Sequence, residues 1–131
     1  MKPFSDSINV LILDDQHRVL FDNIERLKQA MLGGQAAAEV PLLLLNLVRF
    51  ADYHFPTEER LMDTYKYPLR DIHAIEHRVL GMHLRKMSHL IRHDDKTVAL
   101  QLMDLLTHWL ENHIRTWDAR LGEYLNAYGV E

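Results

Sequence analysis

The chain has 131 residues, 47% of them hydrophobic and 26% charged, with a formal net charge of -4 and no cysteine. That length suits a single domain over residues 1–131 with an ordinary core, while the charge leaves no basic footprint for nucleic acid or an anionic membrane. Without cysteine there is no disulfide, no cysteine-zinc site and no thiol nucleophile. No apolar run reaches the roughly 18 residues of a membrane span, and the start MKPFSDS lacks a signal-peptide pattern, so a soluble, cytoplasmic, monomeric protein is expected.

Four segments carry helical periodicity. From about Asp14 to Leu32 the apolar residues Leu13, Leu20, Phe21, Ile24, Leu27 and Met31 recur at spacings of three and four, the mark of one buried helix face, and Gly33-Gly34 ends the run. A second helix is predicted from about Ala37 to Tyr65 through Leu44, Leu47, Val48, Ala51, Leu61 and Met62, with Pro41 near its first turn. The third follows Tyr67-Pro68 and passes through Leu69, Leu80, Leu84, Met87 and Ile91 to the breaker cluster Arg92-His93-Asp94-Asp95. A fourth covers Lys96 to about Ala127 with Val98, Leu102, Leu105, Leu106, Trp109, Leu110, Leu121 and Leu125. No window alternates as a strand should. Four helices joined by short loops predict an all-α, up-down-up-down antiparallel four-helix bundle.

Nine histidines are present, and at about 100° per residue their faces can be read against each apolar stripe. His17 lies between Leu13 and Phe21; His54 and Glu58 continue the series Leu47, Ala51, Leu61; His73 and His77 lie between Leu69 and Leu80; His113 follows Leu106 and Trp109. Every helix therefore aims at least one imidazole inward. His83, His89, His93 and His108 fall on other faces and read as solvent-side residues. A lone inward histidine is usually a hydrogen-bonded core residue. Several with a glutamate are different, because each buried polar group without a partner costs about 1–3 kcal/mol against a total stability of roughly 5–15 kcal/mol. A metal satisfies them together, and imidazole plus carboxylate without sulfur suits iron, zinc, copper, nickel or manganese. Pro56 stands between His54 and Glu58. Either it kinks a continuous helix that ligation holds together, or it opens a new helix and the pair is incidental.

The blocks Asp14-Asp15-Gln16-His17, His54-Phe55-Pro56-Thr57-Glu58-Glu59-Arg60-Leu61-Met62, Tyr67-Pro68 with His73-Ala74-Ile75-Glu76-His77, and Trp109 to Asp118 with His113 occur in the order found in hemerythrins. Over nearly the whole chain the sequence resembles the single-domain bacterial branch of that family, the bacteriohemerythrins. The resemblance implies a non-haem di-iron centre with His17, His54, Glu58, His73, His77, His113 and Asp118 as ligands. In that pattern His73, His77 and His113 hold one iron and His17 and His54 the other. Glu58, Asp118 and an oxo or hydroxo group bridge the two, and the two-histidine iron keeps one position for O2.

His113 and Asp118 are five residues apart, about 140° round an ideal helix, so either Asp118 reaches across the flank or the backbone loosens, and a local wide turn or helix distortion is predicted. Phe55, Trp109 and Ile114, with Leu20 or Phe21, are candidates for the walls of a dry O2 pocket, although plain core packing explains each equally well. Gln16 and Glu76, beside ligand positions, are candidates for orienting imidazoles or are simply exposed. Leu11 and Phe4 depart from the family pattern at the start of the first helix, and no attached signalling module is expected after the fourth. Five imidazoles with two carboxylates reverse the balance of the ferritin-like di-iron enzymes. That balance disfavours O–O cleavage, and the function the resemblance implies is reversible O2 binding for storage, delivery or sensing, without catalysis. The alternative is an oxidase, peroxidase or NO-handling enzyme on the same site.

Overall fold

The computed structural model describes residues 7–33, 39–92 and 96–131. Its elements are α1 (Leu11–Leu32), α2 (Glu39–Thr64), α3 (Arg70–Arg92), α4 (Lys96–His113), a π-helical segment (Ile114–Asp118) and α5 (Ala119–Ala127). The last three form one helical run, so the architecture is the expected four-helix bundle. Each helix packs on its neighbour in sequence, and α1 also packs on α4, closing the ring.

The predicted stripes form the core. Leu13, Leu20, Ile24 and Leu27 of α1 meet Leu44, Leu47, Ala51 and Met62 of α2, Leu80, Leu84 and Met87 of α3, and Leu106, Leu110, Leu121 and Leu125 of the last run. Leu105 is the exception: it is 67% exposed. Leu105 and Leu106 are adjacent, about 100° apart on the helix, so only one of them can point at the bundle axis. The predicted core positions Ile91, Val98 and Leu102 have side chains outside the described set, as do His93, Phe4 and Gly34. Leu11, the first residue of α1, is 65% exposed and lines nothing internal.

Short devices fix the helix ends. Asp14 reaches back from the first turn of α1, accepting from the Ile8 amide (2.9 Å) and the Ser7 hydroxyl (2.6 Å). Gly122 lets this segment dock, because a Cβ there would strike the Ile8 carbonyl. After α2, Lys66 takes φ 54° and the Tyr67 amide donates to the Met62 carbonyl at 2.8 Å, a Schellman closure that turns the chain into α3. Tyr124 clamps this turn by donating to the Tyr65 carbonyl at 2.7 Å.

Pro56 lies inside α2 and does not end it. Its missing N–H leaves the Asp52 carbonyl without an α-helical partner, but both residues are exposed, so the break lies on the solvent side of the helix. One residue on, the Thr57 hydroxyl donates to the Tyr53 carbonyl at 2.8 Å, reinforcing the turn beside the break in the ladder. Among the described residues no helix is long and apolar enough to cross a membrane.

Candidate metal centre

Seven side chains meet in the middle of the bundle: His17 from α1, His54 and Glu58 from α2, His73 and His77 from α3, His113 from the end of α4, and Asp118 from the end of the π-helical segment. None is more than 4% exposed. The i, i+4 pairs His54-Glu58 and His73-His77 each share a face. His113 and Asp118 share one because five residues of π-helix, with more residues per turn, bring the fifth residue back round. The predicted wide turn is there.

The donors fall into two overlapping groups, Glu58, His73, His77, His113 and Asp118 in one and His17, His54, Glu58 and Asp118 in the other, and within each the ligand atoms lie within 4.8 Å of one another. The carboxylates divide their oxygens between the groups. Glu58 Oε2 is 3.2 Å from Nε2 of both His17 and His54, whereas Oε1 is 2.9 Å from His77 Nε2 and 3.6 Å from His73 Nε2. Asp118 Oδ2 is 3.2 Å from His17 Nε2, whereas Oδ1 is 2.8 Å from His73 Nε2 and 3.2 Å from His113 Nε2.

The cluster is not satisfied from within. Close as they lie to one another, Glu58 Oε1, Asp118 Oδ1 and the Nε2 atoms of His73, His77 and His113 are buried with no partner in hydrogen-bonding geometry. A core with this many orphaned polar atoms is costly, and all of these atoms face the centre. Borderline nitrogen donors with hard carboxylate oxygens suit a first-row transition metal, so the residues fit the cation that their arrangement suggests.

Without a metal, the electrostatics are those of buried imidazolium-carboxylate pairs. Burial alone would lower His17, but Asp118 and Glu58 outweigh it and raise its pKa to about 10. Burial likewise opposes the charge on His77, which Glu58 and Glu59 raise to about 9. The same contacts act on the acids: burial would raise Glu58 and Asp118, yet the surrounding imidazoles, His54 foremost for Glu58 and His113 for Asp118, hold both well below the carboxylate range.

Outside the donors, His54 Nδ1 donates to Gln16 Oε1 at 2.8 Å, one of the two orienting contacts expected from the sequence. Glu76 does not make the other, since its Oε2 is 4.0 Å from His113 Nδ1, beyond hydrogen-bond reach. Instead Glu59, which had been given no role, accepts from His77 Nδ1 at 3.1 Å. Nothing in the sequence said which imidazole Glu59 would meet. Of the proposed pocket residues, Phe55 stacks on His77 (centroids 4.5 Å, 16° between planes), Trp109 on His113 (5.2 Å, 10°), and Ile114 is fully buried. Trp117, not anticipated, lies edge-on to His73 at 5.9 Å. Leu20 faces a small apolar cavity of about 20 Å³ that it shares with Leu47, Leu80, Met103 and Leu106, and Phe21 is half-buried at its side of the core. His89 and His108 are exposed as expected, and His83 is half-buried.

An all-helical bundle with a buried, carboxylate-shared histidine cluster defines a cation-binding four-helix protein. The sequence model of the hemerythrin HHE cation-binding domain matches residues 9–125, and the chain belongs to that family. It is 31% identical over 120 residues to a bacteriohemerythrin of Pseudomonas aeruginosa (strain LESB58), covering 88% of this chain and 76% of the relative. It is 30% identical over 122 residues to a bacteriohemerythrin of Methylococcus capsulatus, covering 91% and 90%, and 28% identical over 123 residues to one of Stenotrophomonas maltophilia, covering 93% and 78%.

Proposed function

We propose that this chain binds dioxygen reversibly at a non-haem di-iron centre, for storage, delivery or sensing, and does not turn over a substrate. Its ligands in this reading are His73, His77 and His113 on one side, His17 and His54 on the other, with Glu58 and Asp118 shared. The observation that carries the reading is the division of both carboxylates, each turning one oxygen to the three-histidine group and the other to the two-histidine group. Two ferrous ions with an oxo or hydroxo bridge would supply the electrons that dioxygen takes up on binding and returns on release.

The chain's own residues set the conditions for reversal. Five neutral imidazoles with only two carboxylates donate less electron density than the carboxylate-rich sites of ferritin-like enzymes, which disfavours O–O cleavage. His17 and His54 leave their side one imidazole short of the other, and that is the side to which the small ligand is assigned. Burial of every donor, with Phe55 and Trp109 flat against His77 and His113 and Ile114 fully enclosed, keeps bulk water from releasing a reduced oxygen product. The relatives named bacteriohemerythrin support binding over catalysis.

Anaerobic loading with Fe2+ followed by air is the test. Two irons per chain and a visible spectrum that reverses under vacuum are expected. Rapid irreversible conversion to the ferric state with consumption of a co-substrate would instead establish an oxidase or peroxidase.

A further inference from the structure

The block HFPTEE supplies His54 and Glu58 to the cluster and leaves its last residue, Glu59, outside the ligand set. Glu59 is one residue, about 100°, past Glu58 on α2, so it cannot share that inward face, and its side chain is 26% exposed. It reaches the cluster from the outside instead. Its Oε2 accepts from His77 Nδ1 on α3 at 3.1 Å. Its Oε1 lies 3.9 Å from Nη2 of Arg70, whose Nε and Nη1 donate to Asp63 (3.0 Å) and Asp71 (3.4 Å). Arg70, Glu59 and His77 thus form a line from the surface to the centre.

The imidazoles differ in what stands behind them. His54 is backed by the neutral amide of Gln16, His77 by a carboxylate, and the Nδ1 atoms of His17, His73 and His113 have no hydrogen-bond partner. A carboxylate on the far nitrogen fixes the tautomer, orients the ring and raises the basicity of the nitrogen that faces the metal. We propose that Glu59 is a positioning residue that makes His77 the strongest imidazole donor of the five and the three-histidine group the more electron-rich of the two, with Arg70 partly offsetting its charge from the surface. This inference rests on the two-metal reading above. It adds an electronic asymmetry to the unequal donor count, since the two-histidine side is backed only by an amide.

The test uses the full chain, with Zn2+ as a redox-silent, diamagnetic probe and Fe2+ for potentiometry. Wild type is expected to take up two Zn2+ and to show a downfield, slowly exchanging imidazole N–H proton from His77. Glu59→Ala should lose that proton signal and weaken Zn2+ binding by about 10–100-fold. Glu59→Gln keeps an acceptor oxygen and most of the affinity, yet raises the iron reduction potential because the charge behind His77 is gone. Arg70→Ala lowers the potential, because it leaves Glu59 less screened. Opposite shifts in two variants that retain wild-type helix content are the signature of tuning, and they carry the test even if Glu59→Ala folds poorly. Glu25→Gln, which removes the same charge far from this line, should change neither quantity. Unchanged affinity and potential in the Glu59 variants would overturn the inference while wild type still binds two metals. A wild-type chain that binds no metal would overturn the two-metal reading as well.

Discussion

Asp118 Oδ1 lies 3.2 Å from His113 Nε2 although the two residues are five apart on one helical run, a juxtaposition that an α-helix would forbid and the π-helical segment allows. Such a segment is a rare, single-turn interruption of the α-helical hydrogen-bond ladder, so its integrity should depend on what Asp118 holds. In the metal-free chain the amides of residues 114–118 are expected to exchange with solvent faster than those of α4 and α5 on either side. Loading with Zn2+ should slow them more than any other stretch of the run. Hydrogen exchange with mass spectrometry reads this directly, and uniform protection along 96–127 would contradict it.

The sharing of Glu58 and Asp118 predicts an unequal loss of metal. His54→Ala should reduce the iron content from two per chain to about one, because only one donor group contains that residue, whereas Glu58→Ala removes a donor common to both groups and should leave neither metal tightly held. Metal quantification after desalting, with circular dichroism to confirm helix content, distinguishes the two results. Equal loss in both variants would show that the carboxylate is not shared.

Proton linkage runs in opposite directions with and without metal. His17 and His77, raised to about 10 and about 9 by their carboxylate partners, stabilise the metal-free fold fully below their unfolded value of about 6.5. That contribution is lost as the pH rises from there through 9 and 10. The depressed carboxylates give the complementary limit: their contribution is lost as the pH falls below the usual carboxylate range. The metal-free chain should therefore melt at a higher temperature at pH 6 than at pH 10. Metal must displace the imidazolium protons, including any on His73, which, against its burial, Asp118 and Glu58 also raise, so loading at pH 7 should release at least about two protons per chain and the affinity should rise with pH. Calorimetry in buffers of different ionisation enthalpy counts those protons.

Gly122 tests how the start of the chain is held. A methyl group there meets the Ile8 carbonyl and lies 3.0 Å from the Ile8 Cβ, so residues 7–10 must move off α5. Gly122→Ala should lower stability by about 1–3 kcal/mol in a chemical denaturation series. It should leave the number of bound metals at two, because no donor comes from that segment.

Phe55 covers His77 with its face and lies 5.5 Å from His54. Phe55→Leu keeps an apolar side chain but opens the stacked side of the imidazole. The iron-loaded variant is expected to lose its oxygenated spectrum irreversibly sooner than wild type under air, at similar iron content. An unchanged spectral half-life would assign Phe55 to packing alone.

Much of this protein was legible in its sequence because the relevant signals are local. A three-and-four apolar rhythm specifies a buried helix face wherever the helix ends up, and the same rhythm shows which histidines share that face, so the inward five and the surface positions His89 and His108 could be separated. The five-residue step from His113 to Asp118 even announced a distorted turn. Local rules failed where two readings were locally equivalent. Leu105 and Leu106 are alike as residues, and only the position of the bundle axis buries one and exposes the other. Pro56 could have ended α2 or lain within it, and the buried face that Ala51, His54, Phe55, Glu58 and Met62 carry past it goes with an unbroken helix.

The sequence by itself determined four helices, their buried faces and the five histidines and Glu58 that those faces carry, since each follows from spacing along one helix, whereas Asp118 was implied only by the family resemblance. Tertiary structure alone decided how the donors meet: which oxygen of Glu58 or Asp118 faces which imidazole, that Gln16 stands behind His54 and Glu59 behind His77, and that Glu76 falls short of His113. Those relationships cross from one helix to another. A shift of an ångström or a few degrees in helix docking makes or breaks a hydrogen bond, and no periodicity within a single segment encodes such a shift.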